Sequence, residues 1–280
     1  DIPYQGTDMS FGVSLDQGRL EYSGSNSIAT MFAQKRNVFR PRFWGMIQDL
    51  LRFYKQSAGW LQTLPDDLSL GELLRQEKFG PGFCKDHLLP MSAAIWSTPT
   101  EKMLAYPAKA FLRFCDNHGL LQVNERPQWQ TVTGGSREYV KRLSADFAEG
   151  IRLNCAIKKV HRFNDHVILV DQNGESHRFD HVVMAGHADQ SLAMLDEPSS
   201  AEQSLLGAFS YEENEAVLHR EESLMPKRHQ VWSSWNYLAY TSQSTNKVTG
   251  SSGMNLLQHP PCQKSVQPTL NHLTDPHPAP

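Results

Sequence analysis

Two copies of the pattern Cys-x-x-His, Cys84–His87 and Cys115–His118, offer sulfur and nitrogen ligands of the kind that close a tetrahedral zinc site. On a helix, a spacing of three puts both side chains of a pair on one face. The surrounding residues are strongly apolar, however, and lone cysteines are common in cores. The reading is therefore that no metal is held there. A second candidate is the stretch TVTGGSREYVKRL (residues 131–143), in which Gly134 and Gly135 separate a β-branched run from a helical pattern. Backbone N–H groups at such a junction can face an anion. The third glycine of G-x-G-x-x-G and the Lys-Ser/Thr of a P-loop are both missing, which favours a tight turn. A third candidate is the run from Lys35 to Lys55, where Lys35, Arg36, Arg40, Arg42, Arg52 and Lys55 stand against the single acid Asp49. With its aromatic neighbours it has the composition of a helix lying on an anionic membrane, and equally of a core helix with a solvated basic side. The fourth is WSSWNY, where Trp232, Trp235 and Tyr237 are dense enough to wall a flat ligand or to fill a core. No G-x-S-x-G elbow occurs, and no residue stands out as a nucleophile.

The elements that must position these groups follow from periodicity. Residues 9–22 alternate around Asp16-Gln-Gly18 and read as a β-hairpin. Pro41 opens a helix whose apolar stripe is Phe43, Trp44, Ile47, Leu50, Leu51 and Tyr54. Ser69, with Glu72 three residues on, is a capping box, and helices follow over DHLLPMSAAIWS and YPAKAFLRFCDNHGLL. After residue 128 the pattern gives a strand at WQTVT, a helix over SREYVKRLSADFAEG, one or two strands in IRLNCAIKKVHRF, a hairpin turning at Asn173-Gly174, and a buried strand at HVVMAG. Further strands fall within 211–240.

Composition bounds the rest. The chain has 280 residues, 39% hydrophobic and 20% charged, with a net charge of -3, so no global charge draws it to nucleic acid. Cys84, Cys115, Cys155 and Cys262 are scattered, which suits a reducing compartment. No signal peptide or membrane span is read, and the expected location is cytoplasmic. From about residue 258 the sequence is rich in Pro, His and Gln and is expected to be irregular or disordered.

As a unit, TVTGGSREYVKRLSADFAEGIRLNCAIKKVHRFNDHVILVDQNGESHRFDHVVMAGHADQSLAML resembles the central segment of the flavin-containing amine oxidase superfamily. DMSFGVSLDQGRLEYSG, NVFRPRFWGMIQDLLRF, DHLLPMSAAIWS and SSWNYL are similar to a bacterial-type subgroup of FAD-dependent oxidoreductases associated with cyclopropane fatty acid synthase. The resemblance implies an α+β fold, with an incomplete Rossmann-like FAD-binding lobe and a mixed substrate lobe containing a helical block. The implied division is substrate lobe 1–127, partial FAD lobe 128–200, substrate-lobe strands 201–257 and tail 258–280. It implies that Ile157, Ala185 and Gly186 lie beside FAD, and that Trp96, Trp235 and Tyr237 line a substrate cavity. The implied reaction is hydride transfer from an apolar substrate, an amine or a lipid, to the flavin. Peripheral membrane contact would run through residues 40–55. The family's opening G-x-G-x-x-G is absent from these 280 residues. The rival expectation is a catalytically inactive remnant that serves as a binding module.

Overall fold

The structure, a computed structural model, describes residues 2–24, 27–122, 127–211, 213–239, 249–259 and 266–271. The chain divides into two compact units, Asp1–Val140 with Asn214–Pro280, and Lys141–Glu213.

The larger unit is built on a mixed sheet. Its strands are β2 (Phe11–Leu15), β3 (Leu20–Ser23), β8 (Ala216–His219), β9 (Trp235–Ala239), β10 (Thr249–Ser252) and β11 (Gln267–Leu270). They run in the order β3-β2-β9-β10-β11-β8. The expected hairpin is present, with Val13 opposite Tyr22 and Asp16, Gln17 and Gly18 all at positive φ in the turn. β2 pairs in parallel with β9, from Phe11 beside Trp235 to Leu15 beside Ala239. A separate ribbon, β1 (Tyr4–Gly6) against β4 (Gln130–Val132), carries Trp129 at its end.

Against this sheet and ribbon stands the helical block. Pro41 occupies the first turn of the helix Pro41–Thr63, where its missing N–H costs nothing. The buried face is Phe43, Met46, Leu50, Phe53, Ser57 and Trp60. The expected stripe is corrected at Trp44 and Leu51, which are 44% and 49% exposed. Each sits one residue, and so about 100° of helix rotation, from a buried position. Ser69 and Glu72 form the expected reciprocal capping box at the helix Leu70–Gln76. The core of the block is aromatic: Phe53, Phe79 and Phe83 meet with ring centroids 5.0–5.6 Å apart. Phe53 and Phe83 are fully buried, each contributing about 1.5–3 kcal/mol by area.

The smaller unit contains one sheet, β5 (Ile157–Arg162), β6 (Val167–Asp171) and β7 (Ser176–Phe179), in antiparallel order β5-β6-β7. Gly174, at φ +84°, makes the expected turn. Two helices follow, Ala188–Met194 and Ser200–Gly207.

Three expectations are corrected. HVVMAG is not a buried strand: residues 181–186 form no strand, and Val183 is 88% exposed. The sheet ends at β7, and no described strand adjoins the run to complete a ladder. The helix expected over 136–150 is only Arg137–Leu143, followed by a 3-10 segment Ala145–Gly150 that Phe147 interrupts at φ −130°. None of these residues is buried, so no packing extends the helix. The tail expected to be irregular contains β11, held by β10 on one side and β8 on the other. Such non-local pairing supplies the order that local composition lacks. The rest of that tail beyond Asn271 lies outside the described residues.

Candidate functional site

The ribbon β1–β4 and the loop Thr7–Ser10 frame a cleft of about 400 Å³ in the larger unit, with Met9, Gly119, Leu120 and Trp129 in its wall. A second hollow of about 400 Å³ shares Thr7, Met9 and Trp129, and adds Trp235, Met254 and Leu257. The shared residues make the two neighbours: the first has polar groups of Asp8, Ser10, Gln128 and His259 in its wall, and the second is mainly apolar.

The walls of the resulting groove are fixed by hydrogen bonds. Thr7 N–H donates to the Trp129 carbonyl at 2.8 Å, and Thr7 Oγ1 donates to the carbonyl of Leu257 at 2.7 Å. The Asp8 carboxylate accepts from Ser10 N–H at 2.8 Å and Ser10 Oγ at 3.0 Å, closing a local Asx turn. Ser234 Oγ donates to the Asp8 carbonyl at 2.6 Å, which ties the loop to the start of β9. Gly119 is required by close approach as well as by φ +64°, since a Cβ there would lie 2.5 Å from Pro127 Cδ.

An aromatic stack leads into the groove from the helical block. Trp96 meets Phe114 at 4.6 Å between centroids, Phe114 meets His118 at 4.0 Å, and His118 meets Trp129 at 5.7 Å. His118 Nδ1 donates to the Phe114 carbonyl at 2.7 Å, which fixes the ring plane.

The three residues expected at the substrate divide accordingly. Trp235 lines the groove, and its indole N–H is buried without a hydrogen-bond partner among the described residues. Trp96 stands at the far end of the stack, packed on Tyr106 and Phe111. Tyr237 packs with the cluster of Val13, Tyr22 and Phe43, where burial, with Glu101 adding to it, pushes its phenol up to about 12. Met9 and Trp129 carry no local sequence signal, and His118 carries only that of a metal-ligand pair, because the groove forms from segments far apart in the chain.

The Gly134-Gly135 pair is a turn. Both residues have positive φ, and Gly135 N–H donates to the Val132 carbonyl at 3.0 Å. The turn lies just before the division between the two compact units at Val140 and Lys141. The two Cys-x-x-His pairs do not gather among the described residues. Cys84 points to the Phe79 carbonyl, and Tyr22 Oη meets His87 Nδ1 at 3.0 Å. Burial pushes the Cys115 thiol up to about 12, against the thiolate a metal needs. Of the basic run, Arg42 pairs with Asp86, Arg52 with Asp49, and Arg36 and Arg40 donate to the Arg19 carbonyl. The aromatic and apolar residues beside it are less occupied: Val38, Phe39 and Trp44 are exposed, Phe39 by 86%.

Ile157, Ala185 and Gly186 all belong to the smaller unit. Ile157 opens β5 and is half-buried, while Ala185 and Gly186 end the exposed run 181–186. Beside that run is a hollow of about 640 Å³ walled by Val182, Met184, Leu195, Leu206 and Phe209. A Cβ on Gly186 would meet Gln190 Oε1 at 3.6 Å and Ser191 Oγ at 4.0 Å, ordinary contacts that leave room for a side chain.

Residues 23–223 match the family model described as flavin containing amine oxidoreductase. The chain belongs to that family, whose cofactor is FAD. The comparison with solved structures agrees in fold. Putrescine oxidase (A394C mutant) has 9% identity and a TM-score of 0.57, covering 96% of this chain and 59% of its own. A protein described as a putative protoporphyrinogen oxidase from Exiguobacterium sp. 255-15 has 15% identity and a TM-score of 0.53, with coverage of 95% and 59%. A fatty acid isomerase from P. acnes, described as CLA-producing, has 11% identity and a TM-score of 0.53, with coverage of 98% and 61%. At these identities the likeness is one of fold alone. The chain spans about three-fifths of the length of these structures. Among curated proteins, none matches the sequence. No described helix is long and apolar enough to cross a membrane.

Proposed function

We propose that this chain contributes the substrate groove and part of the cofactor-binding lobe of an FAD-dependent oxidoreductase of the amine oxidase type, acting on an apolar amine or lipid. The observation that carries the substrate class is the apolar wall of Met9, Trp129, Trp235, Met254 and Leu257, with Trp235 Nε1 a buried donor that has no partner among the described residues. Apolar walls bind by excluding water, and a lone buried N–H favours a ligand that brings one acceptor to it. FAD supplies the acceptor for the electron pair that leaves the substrate. This chain's part is to hold that substrate away from water and to offer Ile157, Ala185 and Gly186 to the cofactor's edge. No side chain is assigned as an acid or base.

The test uses the whole protein, purified and freed of oxygen. Candidate amines and long-chain lipids are added one at a time while the oxidised-flavin absorption is followed. Bleaching by an apolar substrate is expected, with slower bleaching in Trp235→Phe, which keeps the ring and removes the donor. A protein that carries no flavin supports the inactive binding module instead.

Peripheral membrane contact through residues 40–55 is proposed with it, with Trp44 in the first turns of the helix Pro41–Thr63 and Val38 and Phe39 in the 3-10 segment just before. Exposed aromatic and apolar residues beside basic ones suit the boundary of a lipid surface.

A further inference from the structure

Three residues of the smaller unit converge away from the groove. Cys155 lies in the loop before β5, Asp171 ends β6, and His177 lies in β7. Cys155 Sγ is 3.7 Å from Asp171 Oδ2, and His177 Nε2 is 3.2 Å from the same oxygen. All three ligand atoms lie within 4.8 Å of one another. We propose that Cys155, Asp171 and His177 form a three-ligand site for a zinc-class divalent cation, with the fourth position open to water.

The geometry is that of ligands around one ion. Zinc bonds of about 2.3 Å to sulfur and about 2.0–2.2 Å to nitrogen and oxygen, at tetrahedral angles, separate N from O by about 3.4 Å and S from O by about 3.6 Å. The observed 3.2 and 3.7 Å fall within a few tenths of an ångström of those edges. The sulfur and nitrogen lie within 4.8 Å of each other, and closing that edge is the adjustment that binding asks of Cys155 and His177.

The carboxylate is already aimed. Asp171 is buried, and its Oδ1 accepts the backbone N–H groups of Asn173 at 2.8 Å and Glu175 at 3.0 Å. That leaves Oδ2 as the presented atom. Without an ion, the thiol and the imidazole N–H both direct a proton at that single oxygen. Cys155 and His177 are half-buried, which leaves a path for the ion and room for water. On binding, the thiol releases its proton to solvent and forms the metal–sulfur bond. The imidazole moves its proton from Nε2 to Nδ1, and the carboxylate binds as the anion. Arg152, which donates to His177 Nδ1 at 3.2 Å and is solvent-exposed, must swing away.

Titration of the full chain with Co²⁺, after treatment with a chelator, tests the site. One equivalent is expected to bind, with a thiolate-to-cobalt charge-transfer band and the intense visible bands of tetrahedral cobalt. Cys155→Ser should abolish the charge-transfer band while its hydroxyl keeps a donor to Asp171. His177→Gln should weaken binding at least about tenfold, Arg152→Ala should not weaken it, and Cys84→Ser should leave it unchanged. Binding without a thiolate band, a band that survives in Cys155→Ser, or no binding by folded wild-type chain would each overturn the assignment.

Discussion

The two compact units treat their apolar residues in opposite ways. In the larger one, Phe53, Phe83, Phe111, Leu70 and Leu112 are fully buried against one another. In the smaller one, Val160 is the buried hydrophobic residue among those described, while Leu153, Phe163, Val183, Leu205 and Phe209 are between 52% and 88% exposed. The smaller unit has the alternation and turns of a sheet protein without the burial that makes such a sheet stable alone. Its order therefore rests on hydrogen bonds and turns, whereas that of the larger unit rests on packing.

The sharpest way to break that contrast is truncation. Phe53→Ala should cost about 3–5 kcal/mol in denaturant unfolding, and Val183→Ala should stay within about 0.5 kcal/mol. Equal losses would show that Val183 is covered in the working protein. Next in size is Gly119→Ala, which sets a Cβ against Pro127 at a φ that favours glycine. A loss of about 1–3 kcal/mol is expected, with a weaker substrate-induced bleaching rate if the groove wall shifts.

The two capping boxes give a matched pair. Ser69→Ala and Ser199→Ala each remove the acceptor for a backbone N–H, at Glu72 and Glu202 respectively. About 1 kcal/mol is expected for Ser69→Ala, read as a shift in global unfolding. Ser199→Ala should instead speed amide exchange in the helix Ser200–Gly207, with little change in the global transition. The smallest effect concerns pH. Arg162 beside Glu202, with hydrogen bonds from Ser199, holds that carboxyl down at about 2. Its folded value is below the unfolded one, so its stabilisation is complete above the ordinary carboxylate range. That contribution is lost as pH falls from there through about 2. Protection of the Ser200–Gly207 amides should fall over that window in the wild type and be flat in Glu202→Gln.

What could be read from the sequence was local. The Asp16–Gly18 turn, Pro41 at a helix start, the Ser69–Glu72 box and the Asn173-Gly174 turn each depend on a few adjacent residues, and each is where the pattern put it. What escaped depends on partners. Residues 181–186 have strand composition and no ladder, while Gln267–Leu270, with a proline in it, is a strand because β8 and β10 flank it. Trp96 and Tyr237 are as aromatic as Trp235, and only the third reaches the groove. The Cys155–Asp171–His177 cluster has no spacing signature within one element. Here the β6–β7 hairpin brings two ligands together and a preceding loop brings the third.

The parallel pairing of β2 with β9 joins Phe11 to Trp235 and Leu15 to Ala239. During synthesis the hairpin of β2 and β3 must wait, one edge bare, until the ribosome has made Trp235–Ala239. A bare strand edge invites pairing with another nascent chain. Closing so long a loop also slows the final step. Expression yield should therefore depend on translation speed and chaperone supply more than on the protein's final stability.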